Sequence, residues 1–151
     1  MRRGRLLAVG VVLAMGVAAP ATRAAQAVPY RQCFQRVGGY YGIRPVLLEA
    51  IAMQESRMNP LAVDHDADGS VDIGLMQINS SHFAELARLG YPPQALWNPC
   101  ANIAAGAWVL ANNMRRLGVS WRAVGAYNSG NPQVGARYAY GVARYVMELE
   151  R

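Results

Sequence analysis

Repeated helix-start signals place the strongest constraint on how this chain can fold. Asn98-Pro99 and Asn131-Pro132 each put a capping side chain before a proline, which is tolerated at the first helical position. Pro45 gives the same proline signal, and apolar residues recur at helical spacing after each start. The spacing predicts a mostly helical domain. The expected helices cover residues 30–41, 45–59, 80–89, 99–117, 121–127 and 132–148.

Residues 1–27 have the pattern of a signal peptide rather than of a folded element. Arginines precede an uncharged apolar run over 6–19, and Ala25-Gln-Ala27 offers a cleavage site between small residues. The alternative is a membrane anchor, but the run is shorter than the roughly 20 residues that span a bilayer. We therefore expect an exported protein with one folded domain over residues 28–151 and no membrane span after cleavage.

The charge of the chain owes much to this leader. All fifteen basic residues are arginine, nine residues are acidic, and the formal net charge is +6. Four of the arginines lie within residues 1–27, so the remainder has eleven basic and nine acidic residues. So small an excess gives no reason to expect a nucleic-acid partner.

Cys33 and Cys100 are the two cysteines of the chain. In an oxidising compartment, an isolated pair far apart in sequence is most simply a disulfide. Two free buried thiols and a metal pair are the alternatives, although two cysteines without a nearby histidine make a poor zinc site. We expect the disulfide.

The helix that begins at Pro45 carries two acids in different settings. At about 100° per residue, Glu55 falls on the same face as Leu48 and Ile51, whereas Glu49 projects from the opposite face toward water. A carboxyl group held among apolar neighbours has a raised pKa and can carry a proton near neutral pH. Glu55 is thus a candidate general acid. The alternative is a buried glutamate paired with an arginine.

The loop over residues 61–73 is polar and has no periodicity. Asp64, Asp66, Asp68 and Gly69 match the early positions of an EF-hand calcium loop, but Leu75 stands where the bidentate glutamate belongs. We therefore expect the aspartates to make tight turns through side-chain hydrogen bonds. No metal and no cofactor is expected.

Two uncharged motifs follow. In residues 74–79, Gly-Leu-Met-Gln-Ile-Asn, apolar residues alternate incompletely with amides, which suits a short β-ribbon near 71–79 lining a cleft, or a core strand. In residues 125–132, an aromatic, an amide and glycines join two helices and can present hydrogen-bonding groups to a sugar, or can form a simple turn.

In this order and spacing, Glu55-Ser56, the 74–79 motif and Ala126-Tyr-Asn-Ser-Gly130 resemble the lytic transglycosylase domain of glycoside hydrolase family 23, which includes the goose-type lysozymes. The resemblance covers about residues 30–148. The Asp-rich loop and the Asn98-Pro-Cys100 start resemble the small exported members that accompany type III secretion, type IV pili and conjugation. It implies an α+β lysozyme-like fold that is predominantly α-helical.

The resemblance also implies the chemistry. Glu55 would be the single catalytic acid and base, cleaving between N-acetylmuramic acid and N-acetylglucosamine to give a 1,6-anhydro product. A tyrosine of the last helix would lie near it, for which Tyr145 fits best beside Tyr138 and Tyr140, unless it is a core aromatic. The implied substrate-binding residues are Ser56, Met76, Gln77, Asn79, Tyr127, Asn128 and Tyr145.

Two competing functions stay open at this point. Goose-type lysozymes tend to have an acid where this chain has Asn79, which favours transglycosylation over hydrolysis, but Asp72 remains a candidate second carboxylate. A catalytically silent wall-binding or scaffold subunit is the other alternative, against which the intact Glu55 counts. The expected partners are peptidoglycan and components of a secretion or pilus machine, and the protein is expected to be a periplasmic monomer.

Overall fold

The computed structural model describes residues 29–151, which include six α-helices, two short 3-10 helices and three short strands. The expected signal peptide lies outside the described residues. The helices are α1 Arg31–Tyr41, α2 Pro45–Ser56, α3 Phe83–Arg88, α4 Pro99–Leu117, α5 Trp121–Asn128 and α6 Pro132–Leu149. The strands are β1 Val63–His65, β2 Val71–Ile73 and β3 Ile78–Asn79, and the 3-10 helices are Ser80–His82 and Pro93–Trp97.

The helices begin where their capping residues predict. The side-chain oxygen of Asn98 accepts hydrogen bonds from the backbone N–H groups of Cys100 and Ala101, and Asn131 caps α6 in the same way. Ser120 accepts from the N–H of Ala123 at the start of α5. Each cap satisfies donors that the first turn leaves without an intrahelical partner, so these local signals fix the helix starts.

The strands form one antiparallel sheet in the order β1-β2-β3. Asp72 in β2 pairs with Asp64 on one side and with Asn79 on the other. The ribbon expected near 71–79 is confirmed, but the expectation of an irregular loop over 61–73 is wrong, because β1 and β2 lie within it. All three residues of β1 are exposed, so the apolar alternation that marks a strand is missing there.

The turn between β1 and β2 uses its carboxylates as hydrogen-bond acceptors. Asp66 Oδ2 accepts from the Ser70 hydroxyl at 2.8 Å, and Asp68 Oδ1 accepts from the Ser70 backbone N–H at 2.9 Å. Gly69 has a φ of 86°, in the left-handed region that favours glycine. These bonds are the tight-turn role that was expected for the aspartates.

Helix α2 is buried on more than one face, which corrects the expectation for Glu49. Leu48, Ala50, Ile51 and Ala52 have no exposed surface, and Glu49 itself is only 8% exposed. Glu49 therefore does not project into water. Burial raises its pKa, which the positive charge of Arg31 partly offsets.

Among residues 29–151, no helix is both long and apolar enough to cross a membrane.

A disulfide joins Cys33 in α1 to Cys100 in the first turn of α4, as expected. The two Cα atoms are 5.3 Å apart, and the bond links positions separated by 67 residues. In the chain-entropy model, closing a loop of this length stabilises the fold by roughly 4 kcal/mol. It holds α1 against the helix on which much of the core is assembled.

Helices α5 and α6 touch through their backbones at Gly125 and Gly135. A Cβ atom added to Gly125 would lie 2.6 Å from the Gly135 carbonyl oxygen and 2.7 Å from its carbon. Because backbone atoms cannot move aside cheaply, we expect Gly125→Ala to reduce the free energy of unfolding by about 2–3 kcal/mol. Urea denaturation of the variant and the unaltered protein measures this difference in the free energy of unfolding.

Gly39→Ala is the matched control for that substitution. Gly39 is exposed within α1, and an added Cβ would meet no atom within 4 Å. Alanine is a better helix former than glycine, so this variant should be more stable by about 0.5–1 kcal/mol. Equal effects at the two positions would mean that the two helices do not pack at this distance.

Candidate active site

Glu55 lies in the last turn of α2, where that helix meets α6. The hydroxyl group of Tyr138, in α6, donates a hydrogen bond to Glu55 Oε1. Tyr138 is only 7% exposed, and the carboxyl group is part-buried beside it. The alternative of a glutamate paired with an arginine is not found. Within residues 29–151 the one ion pair is Arg44–Glu150, on the surface.

Burial raises the pKa of Glu55 to about 7. The hydrogen bond from Tyr138 opposes this shift because it favours the ionised form, whereas the negative charge of Asp72 adds to it. A carboxyl group with this pKa exchanges a proton readily near neutral pH, which is what a general acid or base requires. Glu55 thus has the raised pKa that the sequence predicts for a carboxyl group removed from water.

Tyr127, at the end of α5, is a second tyrosine that lies close to this carboxyl group. Its hydroxyl donates to the backbone oxygen of Met76 at 2.9 Å, and its ring stacks on that of Tyr138 with centroids 6.4 Å apart. Burial and the nearby Glu55 charge raise the pKa of Tyr127 well above its usual value, so it stays a neutral hydrogen-bond donor. Asn128 follows it and is exposed.

The side chains of Ser56 and Gln77 are engaged by the protein itself. Ser56 Oγ donates to the Leu75 backbone oxygen at 2.7 Å and accepts from the Asn59 N–H at 3.0 Å. The Gln77 side-chain amide donates to the carbonyls of Gly74 and Ala62. Ser56 ties the segment between β2 and β3 to the end of α2, and Gln77 ties the same segment to Ala62 before β1. We call this segment, beside Glu55, the hairpin wall.

Met76 was expected to line a cleft, but its side chain is fully buried. It packs against Gly106 of α4, where an added Cβ would lie 2.7 Å from the Met76 Cε atom. Its backbone is held from both ends, since its N–H donates to Asn102 Oδ1 at 2.7 Å and its carbonyl accepts from Tyr127. Met76 therefore contributes packing and a backbone anchor.

Asn102 is a residue that sequence patterns missed. It has no exposed surface, and its Nδ2 atom donates to the carbonyls of Ile73 and Leu96 at 3.0 Å each. Two of the three hydrogen bonds of this amide, those with Met76 and Ile73, tie the β2–β3 hairpin to α4, and the third ties the 3-10 helix Pro93–Trp97 to it. The signal in the sequence was a polar residue beside the apolar stripe of α4, where a buried amide needs hydrogen-bond partners within the protein.

Asn79 and Asp72 face each other across the β2–β3 pairing. Asn79 Oδ1 caps the following 3-10 helix, and its Nδ2 donates to Asp66 and Ser70. Burial raises the pKa of Asp72, and hydrogen bonding to Asn79 lowers it. The cluster places a second carboxylate within electrostatic range of Glu55.

The tyrosine that α6 brings to Glu55 is Tyr138 and not Tyr145. The two are seven residues apart and lie on similar faces of the helix, but about 10 Å apart along its axis. Tyr145 is partly buried and packs against the hydrophobic core. Only the position at which α2 meets α6 distinguishes them.

The assembled site contains one proton-exchanging carboxyl group, two neutral tyrosine hydroxyls and a second carboxylate at the hairpin. Among residues 29–151, no three His, Cys, Asp or Glu side chains lie close enough to hold a metal ion. A cavity of about 620 Å³ lies elsewhere, between α5 and α6, and is not lined by Glu55. We assign the site by its chemistry and not by cavity size.

Removing the Tyr138 hydroxyl should raise the pKa of Glu55 further. Tyr138→Phe deletes the hydrogen bond that favours the ionised carboxyl group while keeping the ring. We expect the pKa, measured by NMR titration of the ¹³C-labelled carboxyl group, to move above the value of about 7 for the unaltered protein. Tyr145→Phe is the control and should leave it unchanged. A shift from Tyr145→Phe alone would contradict the assignment.

Comparison with known proteins agrees with this geometry. The model of the transglycosylase SLT domain family matches residues 32–143. Invasion protein IagB of Salmonella typhimurium is 45% identical over 102 residues, which are 67% of this chain and 64% of IagB. Protein IpgF of Shigella sonnei is 40% identical over 107 residues, or 68% of this chain and 70% of IpgF.

A solved structure shares the fold. It is an inactive mutant of the lytic transglycosylase Slt from Pseudomonas aeruginosa, with a TM-score of 0.68 and 23% identity. The match covers 81% of this chain and 24% of that one. The lysozyme-like α+β fold is thus confirmed. On the family match, this chain belongs to the transglycosylase SLT domain family.

Proposed function

We propose that the protein is a peptidoglycan lytic transglycosylase. It cleaves the β-1,4 bond between N-acetylmuramic acid and N-acetylglucosamine and leaves a 1,6-anhydro end on the muramic acid. The observation that carries the proposal is the Glu55 carboxyl group, whose pKa is raised to about 7 and which Tyr138 holds through a hydrogen bond. Membership of the SLT family supports it.

The reaction needs one carboxyl group in two roles. Protonated Glu55 gives its proton to the glycosidic oxygen as the bond to the anomeric carbon breaks. The resulting carboxylate then takes the proton of the muramic C6 hydroxyl, whose oxygen bonds to the anomeric carbon. The proton returns to Glu55 and no water is consumed. A pKa near the working pH suits both transfers.

The neutral tyrosines support both steps. Tyr138 donates to the carboxyl oxygen and stabilises the charge that Glu55 carries between the two transfers. Tyr127 holds the Met76 carbonyl, and with it the hairpin wall. Asn128 is exposed beside Tyr127, and we assign it a direct contact with the sugar. Ser56, Gln77 and Asn79 act by shaping this wall.

Hydrolysis in the manner of a lysozyme is the second candidate. The observation in its favour is Asp72, whose negative charge raises the pKa of Glu55. An ionised second carboxylate could activate water or stabilise the cation, as in glycosidases that use two carboxyl groups. Burial and the negative charges of Asp66, Asp64 and Asp68 disfavour the ionised form of Asp72 that this role needs, which favours the single-acid scheme.

Digestion of purified peptidoglycan followed by mass spectrometry of the released fragments separates these chemistries. Anhydromuramic ends are the expected result. Reducing ends from the wild type would mean hydrolysis, and Asp72→Asn should then abolish release. If transglycosylation is correct, Asp72→Asn should still yield anhydro ends. An absence of any release would favour a wall-binding role without catalysis.

We further propose that the protein acts in the periplasm, where it opens the wall for a secretion or pilus apparatus. Arginines before an apolar run and a small-residue cleavage site in residues 1–27 support export, and the likeness to invasion protein IagB supports the association with such a machine. Cell fractionation with N-terminal sequencing should find a mature chain that begins at Val28. A full-length chain in the cytoplasm would contradict this.

A further inference from the structure

Two cavities meet on a surface formed by α1, α4 and the segment after α3. They measure about 510 and 530 Å³, within the usual range for ligand pockets. Both are lined by Tyr40, Tyr41 and Trp108, so they lie side by side and form one elongated depression. Tyr91 adds a fourth aromatic ring. We call this depression the aromatic groove.

The aromatic groove is separate from the site at Glu55. Gly106 of α4 faces that site, since a Cβ added there would lie 2.9 Å from the Tyr127 hydroxyl. Trp108 is two residues further along the same helix and therefore points about 200° away. The body of α4 stands between the two surfaces.

The polar groups of the aromatic groove are available to a ligand. Within residues 29–151, neither the hydroxyls of Tyr40, Tyr41 and Tyr91 nor the Trp108 indole N–H takes part in a hydrogen bond with the protein; the tyrosine hydroxyls that do are those of Tyr127 and Tyr138. Tyr40 is 82% exposed. Rings with an apolar face and a polar edge suit ligands that combine both characters.

The charged residues that line the aromatic groove are all basic. No Asp or Glu lines either cavity, whereas Arg36, Arg44 and Arg115 do. Arg44 pairs with Glu150, and Arg36 is exposed on the same helix as Tyr40. The lining thus favours a ligand that carries carboxylates beside its apolar faces.

We propose that the aromatic groove is a second, non-catalytic site for peptide-bearing glycan strands of peptidoglycan. The rings of Tyr40 and Trp108 stack on sugar faces, and Arg36 attracts the carboxylates of the stem peptides. The inference rests on the proposed function for its choice of polymer. Binding here would keep the enzyme on the wall between cleavage events at Glu55.

Sedimentation with purified peptidoglycan sacculi tests the site in a Glu55→Gln background, which prevents turnover. The test variant is Arg36→Glu with Tyr40→Ala, both exposed and one helical turn apart in α1. The matched control is Arg144→Glu with Tyr140→Ala, exposed at the same spacing in α6. We expect the test variant to bind sacculi at least about fivefold more weakly, as for truncated aromatic and arginine anchors. The control should bind normally.

NMR locates the sugar contact independently. The chain has three tryptophans, and each gives its own indole N–H signal. Titration with chitohexaose should shift the signal of Trp108 and leave that of Trp121, which lines the cavity between α5 and α6, unchanged. An unmoved Trp108 signal would overturn the sugar-binding role of the groove. Equal sacculus binding by the two double variants would do the same.

These measurements keep the two proposals apart. If the wild type releases no fragments but sacculus binding still depends on Tyr40 and Arg36, the catalytic proposal fails and the second site stands. If anhydro fragments are released while both double variants bind sacculi equally, the second site fails and catalysis stands. Circular dichroism of each variant confirms that it is folded.

Discussion

Replacing Glu55 with glutamine is expected to reduce the release of anhydro fragments from peptidoglycan by about 10³–10⁴-fold. Loss of a positioned acid or base typically costs factors of this order, and here one carboxyl group serves both steps. Glutamine can still accept the hydrogen bond from Tyr138, so the fold should be kept. Fragment release followed by mass spectrometry measures the change.

Glu49→Gln provides the control for that substitution. Glu49 is on the same helix, is also buried, and also has a raised pKa. It lies six positions before Glu55, so the pair separates the chemistry at the site from the general effect of neutralising a buried acid in α2. Activity within about threefold of wild type is expected for a change outside the site. Equal losses in both variants would point to folding.

The pH dependence of the reaction should follow the same carboxyl group. The protonated form of Glu55 starts the reaction, and its pKa is about 7. The value of kcat/KM should therefore fall tenfold per pH unit above this pKa. Rates of fragment release between pH 5 and pH 9 measure this decrease in kcat/KM. A rate that rises across this range would contradict Glu55 as the acid.

Glu55→Gln should also make the protein more stable at neutral and alkaline pH. The pKa of Glu55 is about 7 in the folded protein, against an ordinary value of 4.5 for a glutamate carboxyl group. Folded protein therefore binds the proton more tightly, so stability is fully present below pH 4.5 and is lost as the pH rises to 7. Glutamine avoids this loss, which amounts to up to about 3 kcal/mol at pH 8. Urea denaturation at pH 4 and pH 8 should show a difference only at pH 8.

Replacing Asn102 with leucine is expected to reduce the free energy of unfolding by about 3–5 kcal/mol. The change removes three buried hydrogen bonds and leaves the carbonyls of Ile73 and Leu96 and the N–H of Met76 without this partner. Each buried polar group left unsatisfied costs about 1–3 kcal/mol. Chemical denaturation measures the loss.

Asn113→Leu is the matched control for Asn102→Leu. Asn113 is 5% exposed on the same helix, and its Nδ2 atom has no hydrogen-bond partner within the described residues. Its one side-chain bond is accepted from Arg116 near the surface. The cost should therefore stay below about 1 kcal/mol. If both variants lose the same stability, the Asn102 network is not what holds the hairpin to α4.

The fold was largely predictable because its signals are local. Asn98, Ser120 and Asn131 cap the helices that follow them in the sequence, so each start could be identified within a few residues. β1 could not be identified in this way. Its residues are exposed, so they show no apolar alternation. It is a strand because it pairs with β2, and a pattern of neighbouring residues carries no information about that pairing.

The site, like the fold, could be predicted only where its signals are local. Glu55 was identified from its place on an apolar face. The same helical pattern wrongly predicted that Glu49 is exposed, because it assumes a single buried face for α2. Tyr145 was preferred to Tyr138, although a spacing of seven residues puts both on similar faces of α6. The first error could be corrected only from the burial of α2 in the folded protein, and the second only from the packing of α2 against α6.

By itself, the sequence determined the helix starts, the disulfide partners, the family and the candidate acid, because each depends on neighbouring residues or on residue type. The tertiary structure decided which tyrosine holds Glu55, that Met76 is buried, and that Asn102 ties the hairpin to α4. These depend on contacts between residues 26 to 83 positions apart in the chain. The pKa of the acid is set by the same long-range packing.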